Sequence, residues 1–163
     1  MIIVNARMVR LSLDMSPISQ PLPPALDRII QRFQQISEPK RRYEYLLHFA
    51  KRLPPFPEDQ KILENKVSGC ASQVYVIATM DSGKIGFEGD SDAQITKGLV
   101  GLLVEGLTGL TPPEIIQLTP DFIQQTGLDI SLTPSRVNGF YNIFQMMQKR
   151  ALVYHLTETY SQS

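Results

Sequence analysis

The sequence has one cysteine, Cys70, and two histidines, His48 and His155, in 163 residues. A lone cysteine cannot close an internal disulfide, and by itself it cannot hold a structural zinc or an iron–sulfur cluster. Two histidines leave little for a histidine-based metal site. Net charge is missing as well, because 16 basic side chains balance 16 acidic ones. That argues against a general nucleic-acid binder, which carries a strong basic excess. The longest apolar run, around Leu99 to Val104, is far too short to cross a bilayer. Ten glycines and twelve prolines fall short of a disordered composition. What is present is 42% hydrophobic residues, the usage of a globular domain. A chain of this length buries roughly 70% of its unfolded surface and needs no disulfide or metal to fold. The expectation is a soluble cytoplasmic domain that engages neither nucleic acid nor membrane.

The charges are unevenly spread. Residues 1–66 carry 11 basic and 7 acidic side chains, residues 67–132 carry 2 and 8, and residues 133–163 carry 3 and 1. An acidic middle segment can steer a basic partner. The simpler expectation is that the opposed segments face each other in the fold.

Residues 1–21 read as a flexible N-terminal extension, residues 22–160 as a single domain and residues 161–163 as a tail. The extension holds Arg7 and Arg10 but no sustained apolar core, so it fails as a secretory signal. It is free of acidic residues up to Asp14, which leaves organelle targeting open, and a start at Met15 is an equal alternative. Pro17, Pro21, Pro23 and Pro24 punctuate the entry to the domain.

Leu26, Ile29, Ile30, Phe33 and Ile36 recur at three- and four-residue spacing and predict a helix over 25–36. Ser37 is placed to cap a second helix over 39–53, with Tyr43, Leu46, Leu47, Ala50 and Leu53 as its stripe. Pro54-Pro55-Phe56-Pro57 ends it, since proline lacks a donor and restricts the residue before it. The period then changes. Gln73 to Thr79 is β-branched and aromatic and reads as a strand. Asp81-Ser82-Gly83-Lys84 supplies a hairpin turn into a second strand over 85–88. A short strand near Lys66 to Ser68 would complete a three-stranded antiparallel sheet. Asp90-Ser91-Asp92 offers caps for a helix over 93–106 that is apolar nearly all round and therefore buried. Within it, Gly98 and Gly101 read as sites of close helix packing. Thr111-Pro112-Pro113-Glu114 has capping-box spacing, and another short helix ends at Gly127. Thr133-Pro134 opens a long last helix whose stripe is Val137, Phe140, Tyr141, Phe144, Met147 and Ala151. The order ααβββααα predicts an α+β fold, with the sheet packed against helices.

Chemistry is to be sought at Cys70. It follows the turn-forming Ser68-Gly69 pair and precedes a strand, which puts its sulfur at a sheet end or loop tip within a partner's reach. The competing reading is a small buried hydrophobe, the ordinary role of a free cysteine. His48 and His155 lie on helices in undiagnostic positions, so a histidine base beside the thiol is not indicated. The Met146-Met147 pair reads as core filler. Arg136 stands in the first turn of the last helix, where positive charge opposes the helix dipole. It is expected to be compensated by Asp90, by Asp92 or by a sulfur anion.

The stretch Val67-Ser68-Gly69-Cys70-Ala71-Ser72-Gln73-Val74-Tyr75 closely resembles the cysteine motif of the SufE family of sulfur-acceptor proteins. Three further blocks agree in order and spacing: Arg52-Leu53-Pro54; Gly89-Asp90-Ser91-Asp92-Ala93 with Lys97-Gly98-Leu99; and Leu132-Thr133-Pro134-Ser135-Arg136. The resemblance spans roughly Leu22 to Tyr154. Ala71, where the family often has a polar residue, and Tyr75, in place of the usual Trp, are departures that leave the reactive atom in place. The resemblance implies a SufE/IscU-like fold and a sulfur shuttle. A SufS-type cysteine desulfurase would pass persulfide sulfur to Cys70, and the chain would stimulate that enzyme and deliver the sulfur to a SufBCD-type scaffold. No cofactor of its own is implied, because pyridoxal phosphate belongs to the desulfurase. A single thiol suits this chemistry, since a second one nearby would resolve the persulfide into a disulfide. A cluster scaffold is set aside, as one cysteine is too few. Ser68, Gly69, Ser72 and Gln73 are expected to present Cys70, and Asp92 and Arg136 to support that loop or the partner surface. At rest the loop is expected to tuck the sulfur against apolar neighbours and raise its pKa. A non-catalytic adaptor that activates a desulfurase, with an incidental cysteine, is the alternative. Monomer and homodimer both stay open.

Overall fold

The computed structural model describes residues 21–161. The extension through residue 20, with its flexibility and targeting readings, and the last two residues lie outside them. Helix α1 (Pro24–Gln34) buries Leu26, Ile29, Ile30 and Phe33, the predicted stripe except for Ile36, which lies past the helix end and is only partly buried. Helix α2 (Pro39–Arg52) begins at Pro39 with Glu38 as N-cap residue and no side-chain cap bond, so Ser37 does not cap it. Proline at the first position replaces the cap, because its missing N–H is one the helix start would leave unpaired anyway. Helix α2 buries Leu46, Phe49 and Ala50. Phe49 was not in the predicted stripe; it is buried because its ring packs against Phe33 and Tyr45, at centroid distances of 6.2 and 5.2 Å.

Strands β1 (Val74–Asp81) and β2 (Lys84–Ser91) pair antiparallel from Val74↔Ser91 to Asp81↔Lys84. Ser82 at φ 51 and Gly83 at φ 80 make the turn, the left-handed pair that matches the twist of a two-residue hairpin. The sheet has two strands, which corrects the expected three. The stretch at Lys66 to Ser68 makes only an isolated bridge, Lys66↔Tyr75, with Val67 N–H donating to the Val74 carbonyl at 2.8 Å. A 3-10 turn over Leu63–Asn65 ends immediately before it, and Gly69 turns the chain at φ 81 just after. Too few extended residues remain between them for a ladder.

Helix α3 (Gln94–Leu107) is buried nearly all round and forms the middle of the molecule. One face meets β2 and the other meets α1 and α2. A Cβ at Gly98 would lie 2.7 Å from the Leu46 carbonyl oxygen, and one at Gly101 would collide with that of Phe49. Both glycines therefore allow backbone-to-backbone packing, as their sequence context suggested. The start of α3 departs from expectation: its N-cap residue is Ala93, with no side-chain cap. Ser91 Oγ accepts from the Ala93 N–H at 3.2 Å, and the Asp92 carboxylate is turned elsewhere.

Helix α4 (Pro112–Ile116) carries the predicted capping box between Thr111 and Glu114. Helix α5 (Phe122–Thr126) ends at Gly127 with φ 75, followed by α6 (Leu128–Ser131). Helix α7 (Pro134–Ser161) lays Phe140, Ile143, Phe144, Met147 and Ala151 into the core. Its Gln148 side chain donates to the Leu118 carbonyl at 2.8 Å and the Ile115 carbonyl at 3.1 Å, pinning the end of α4. The buried apolar residues form one contiguous cluster running from α1 through α3 and the sheet to α7. Each large side chain buried there contributes about 2 kcal/mol.

Candidate functional site

The cysteine loop stands on two fully buried residues, Val67 and Val74, whose backbones bond directly. Burial of both ends fixes the base of the loop; the five residues after Val67 and before Gln73 rise from it. Gly69 turns the tip with φ 81, a left-handed conformation that side chains disfavour. Cys70 follows, half-buried and folded back against α7. Its sulfur lies 4.0 Å from the Gly139 carbonyl oxygen. A methyl group at Gly139 would also stand 4.0 Å from that sulfur, an ordinary van der Waals contact, so the site is close-fitting without being crowded.

Burial pushes the Cys70 thiol above its ordinary pKa, and a hydrogen bond from the Asn142 side chain partly opposes the rise. A thiol placed this way is mostly protonated near neutrality and a weak nucleophile at rest. Asn142 Nδ2 also donates to the Gly69 carbonyl at 3.1 Å.

Four expected supports gather around this loop. Gly69 makes the turn. Asp92 Oδ1 accepts from the Gln73 N–H at 2.9 Å, and the Asp92 N–H donates to the Gln73 carbonyl at 3.2 Å. This two-way clasp ties the loop exit to the start of α3. Ser72 Oγ pairs with Thr96 Oγ1 at 3.5 Å, and the Tyr75 hydroxyl donates to Gln73 Oε1 at 3.4 Å. Ser68 is different: it is exposed, and its contribution is to the turn alone.

Arg136 departs from expectation. It is exposed, and among the described residues no carboxylate pairs with it: Asp90 is taken by Lys61 and Lys97, each at 3.4 Å, and Asp92 by the Gln73 backbone. Water solvates the guanidinium and weakens its unfavourable encounter with the helix dipole, so no internal compensation is needed. It lies three residues before Gly139, about 4.5 Å along the same helix. His48 is exposed and His155 is half-exposed on the distal part of α7.

Gly139 and Asn142 were missed from sequence. The signal was there: Arg136, Gly139 and Asn142 recur every three residues and mark a polar, small-residue face on α7, beside its apolar stripe. Two ion pairs join the basic first segment to the acidic middle one, Arg52–Glu105 at 2.7 Å and Lys61–Asp90 at 3.4 Å. A groove of about 550 Å³ lies elsewhere, lined by Ala25, Ile29, Tyr45, Phe49, Arg52 and Glu105 among others, with no residue of the cysteine loop. Among the described residues no three His, Cys, Asp or Glu side chains converge as metal ligands, and no helix is long and apolar enough to cross a membrane.

Residues 27–151 match the family model SufE, described as an Fe-S metabolism associated domain. An uncharacterised SufE-like protein of Synechocystis is 57% identical over 141 residues, covering 86% of this chain and 89% of that protein. A cysteine desulfuration protein SufE of Plasmodium vivax is 40% identical over 132 residues, which are 78% of this chain and 52% of that protein. The chain thus spans about half the length of the Plasmodium relative. A solution structure of a hypothetical protein from Thermus thermophilus superposes with a TM-score of 0.70 at 27% identity, covering 80% of this chain and 96% of that one.

Proposed function

The chain belongs to the SufE family, and from that premise we propose that it is a sulfur carrier which takes persulfide sulfur from a SufS-type cysteine desulfurase onto Cys70. In the transfer, the Cys70 thiolate attacks the terminal sulfur of the desulfurase persulfide. A new S–S bond forms, the old one breaks, and the electron pair leaves on the desulfurase cysteine as thiolate. The carrier departs as a Cys70 persulfide and stimulates the desulfurase by clearing its product. Delivery to a SufBCD-type scaffold would complete the cycle. The chemistry needs no cofactor on this chain, because carbon–sulfur cleavage belongs to the partner's pyridoxal phosphate. The expected place of work is the cytoplasm, where thiols are kept reduced and a persulfide carrier can turn over.

The observation that carries this reading is the placing of Cys70. It sits at the tip of a loop with a rigid base, with its sulfur withdrawn against α7. Withdrawal shields a bound persulfide from water and oxidants, and a loop tip is the part of a fold that a partner can draw out. Intact-mass spectrometry after incubation with desulfurase and free cysteine, without reductant, tests it. One or more added sulfur atoms should map to the Cys70 peptide and be absent in Cys70→Ser. Faster desulfurase turnover that survives Cys70→Ser would instead establish the adaptor.

A further inference from the structure

The tip of the cysteine loop is tied to α7 through one side chain. Asn142 donates to the Gly69 carbonyl at 3.1 Å, and its amide lies close enough to the Cys70 thiol to oppose part of the pKa rise that burial causes. Beyond this, the only polar approach at the tip among the described residues is the long 4.0 Å one between the Cys70 thiol and the Gly139 carbonyl. The base is held quite differently, by backbone bonds at Val67–Val74 and by the Gln73–Asp92 clasp. The geometry points to Asn142 as a latch, a positioning residue that keeps the Cys70 loop retracted on α7 until its release exposes the sulfur to a partner. The purpose of the latch rests on the carrier reading; its action, retraction, belongs to the free protein and needs no partner.

Two features agree with a latch that must also open. Gly69 has no side chain to obstruct it: a Cβ there would lie 2.9 Å from Asn142 Nδ2, so the close approach requires glycine. Asn142 itself is only half-buried, so water takes over its donors when the loop lifts, and the net cost of release stays small. A hydrogen bond of this kind shifts a closed–open equilibrium by about fivefold.

The test is the pH profile of Cys70 alkylation by iodoacetamide in the full chain alone. Its limiting rate, with the thiol fully ionised, reports access to the sulfur, and its midpoint reports stabilisation of the thiolate. Asn142→Ala should raise the limiting rate about fivefold. Asn142→Asp, nearly identical in shape but unable to donate when ionised, should raise it as well, and in Asn142→Ala the midpoint should move down toward the ordinary thiol range as the lifted sulfur returns to water. A structural role alone would not move that midpoint. Circular-dichroism melts check that both variants are folded. A wild-type limiting rate in Asn142→Asp overturns the latch whatever the alanine variant does, since that variant keeps the shape and removes the donors. If alkylation accelerates while Cys70 never gains sulfur from a desulfurase, the latch stands and the carrier reading falls. If sulfur is accepted and alkylation is unaltered, the latch falls and the carrier stands.

Discussion

In the seam between α2 and α3, Gly98 and Gly101 let two helix backbones touch, whereas in the cysteine loop Gly69 lets a connection turn back on itself. The surroundings of the two kinds of glycine differ in what would have to move. A side chain at Gly98 would meet the Leu46 carbonyl at 2.7 Å, and one at Gly101 the Phe49 carbonyl. Those carbonyls belong to a helix and cannot give way singly. A side chain at Gly69 would meet only the end of Asn142, besides the strain of φ 81. The reactive atom is thus mounted on a loop whose glycine faces one flexible side chain, whereas the glycines of the seam face helix backbone. A tip can lift from a rigid base without disturbing the core, and that separation is what a carrier needs, because it must present and withdraw the same atom.

The largest test of this contrast is Gly101→Ala. Forcing a methyl group into a backbone contact should cost about 3 kcal/mol of unfolding free energy, measured by urea titration, a large share of a typical domain's stability. Sulfur acceptance per folded molecule should be unchanged. A loss below about 1 kcal/mol would mean that the seam yields and that rigidity is not what the glycines supply.

Arg136→Ala should do the reverse. The side chain is exposed and makes no ion pair among the described residues, so its melting temperature should hold. Sulfur acceptance from the desulfurase should slow about tenfold, the scale expected for losing a charged contact to a partner. Unchanged transfer would remove Arg136 from the partner surface, and a lowered melting temperature would move it into the scaffold.

The smallest effect is a pH slope. Burial raises the Cys70 pKa in the folded chain, so above the ordinary thiol range the unfolded chain loses this proton before the folded one does. The stability associated with a protonated Cys70 is therefore full below that range and declines as pH rises toward the folded-state value. Unfolding measured at rising pH should show this slope in wild type and lose it in Cys70→Ala. Identical slopes would place the sulfur in water and break the contrast between a withdrawn tip and an exposed one.

Much of the fold was legible. Helix α1 and the capping box of α4 follow from local spacing, and the hairpin follows from one Ser-Gly turn. Cys70, Gly69 and Gln73 were identified from their motif. Asp92 was expected both as a cap for α3 and as a support of the loop; it does not cap the helix, and its carboxylate holds the Gln73 backbone across 19 positions of sequence. Arg136 was expected to need a carboxylate or a sulfur anion beside it, and exposure removed that need. The third strand failed because two turns, each locally plausible, crowd the same few residues. Asn142 escaped notice because an asparagine beside an apolar stripe looks like ordinary helix surface.

The sequence by itself determined the periods, the stops, the lone thiol and the turn that presents it, since these depend on neighbours within a few residues. The tertiary structure decided how far the sulfur is withdrawn, which donor it meets and which charges stay in water. Those depend on α7 lying under the loop, a contact between Gly69 and Asn142 across 73 positions. Packing of the whole core fixes that contact, and no local preference encodes it.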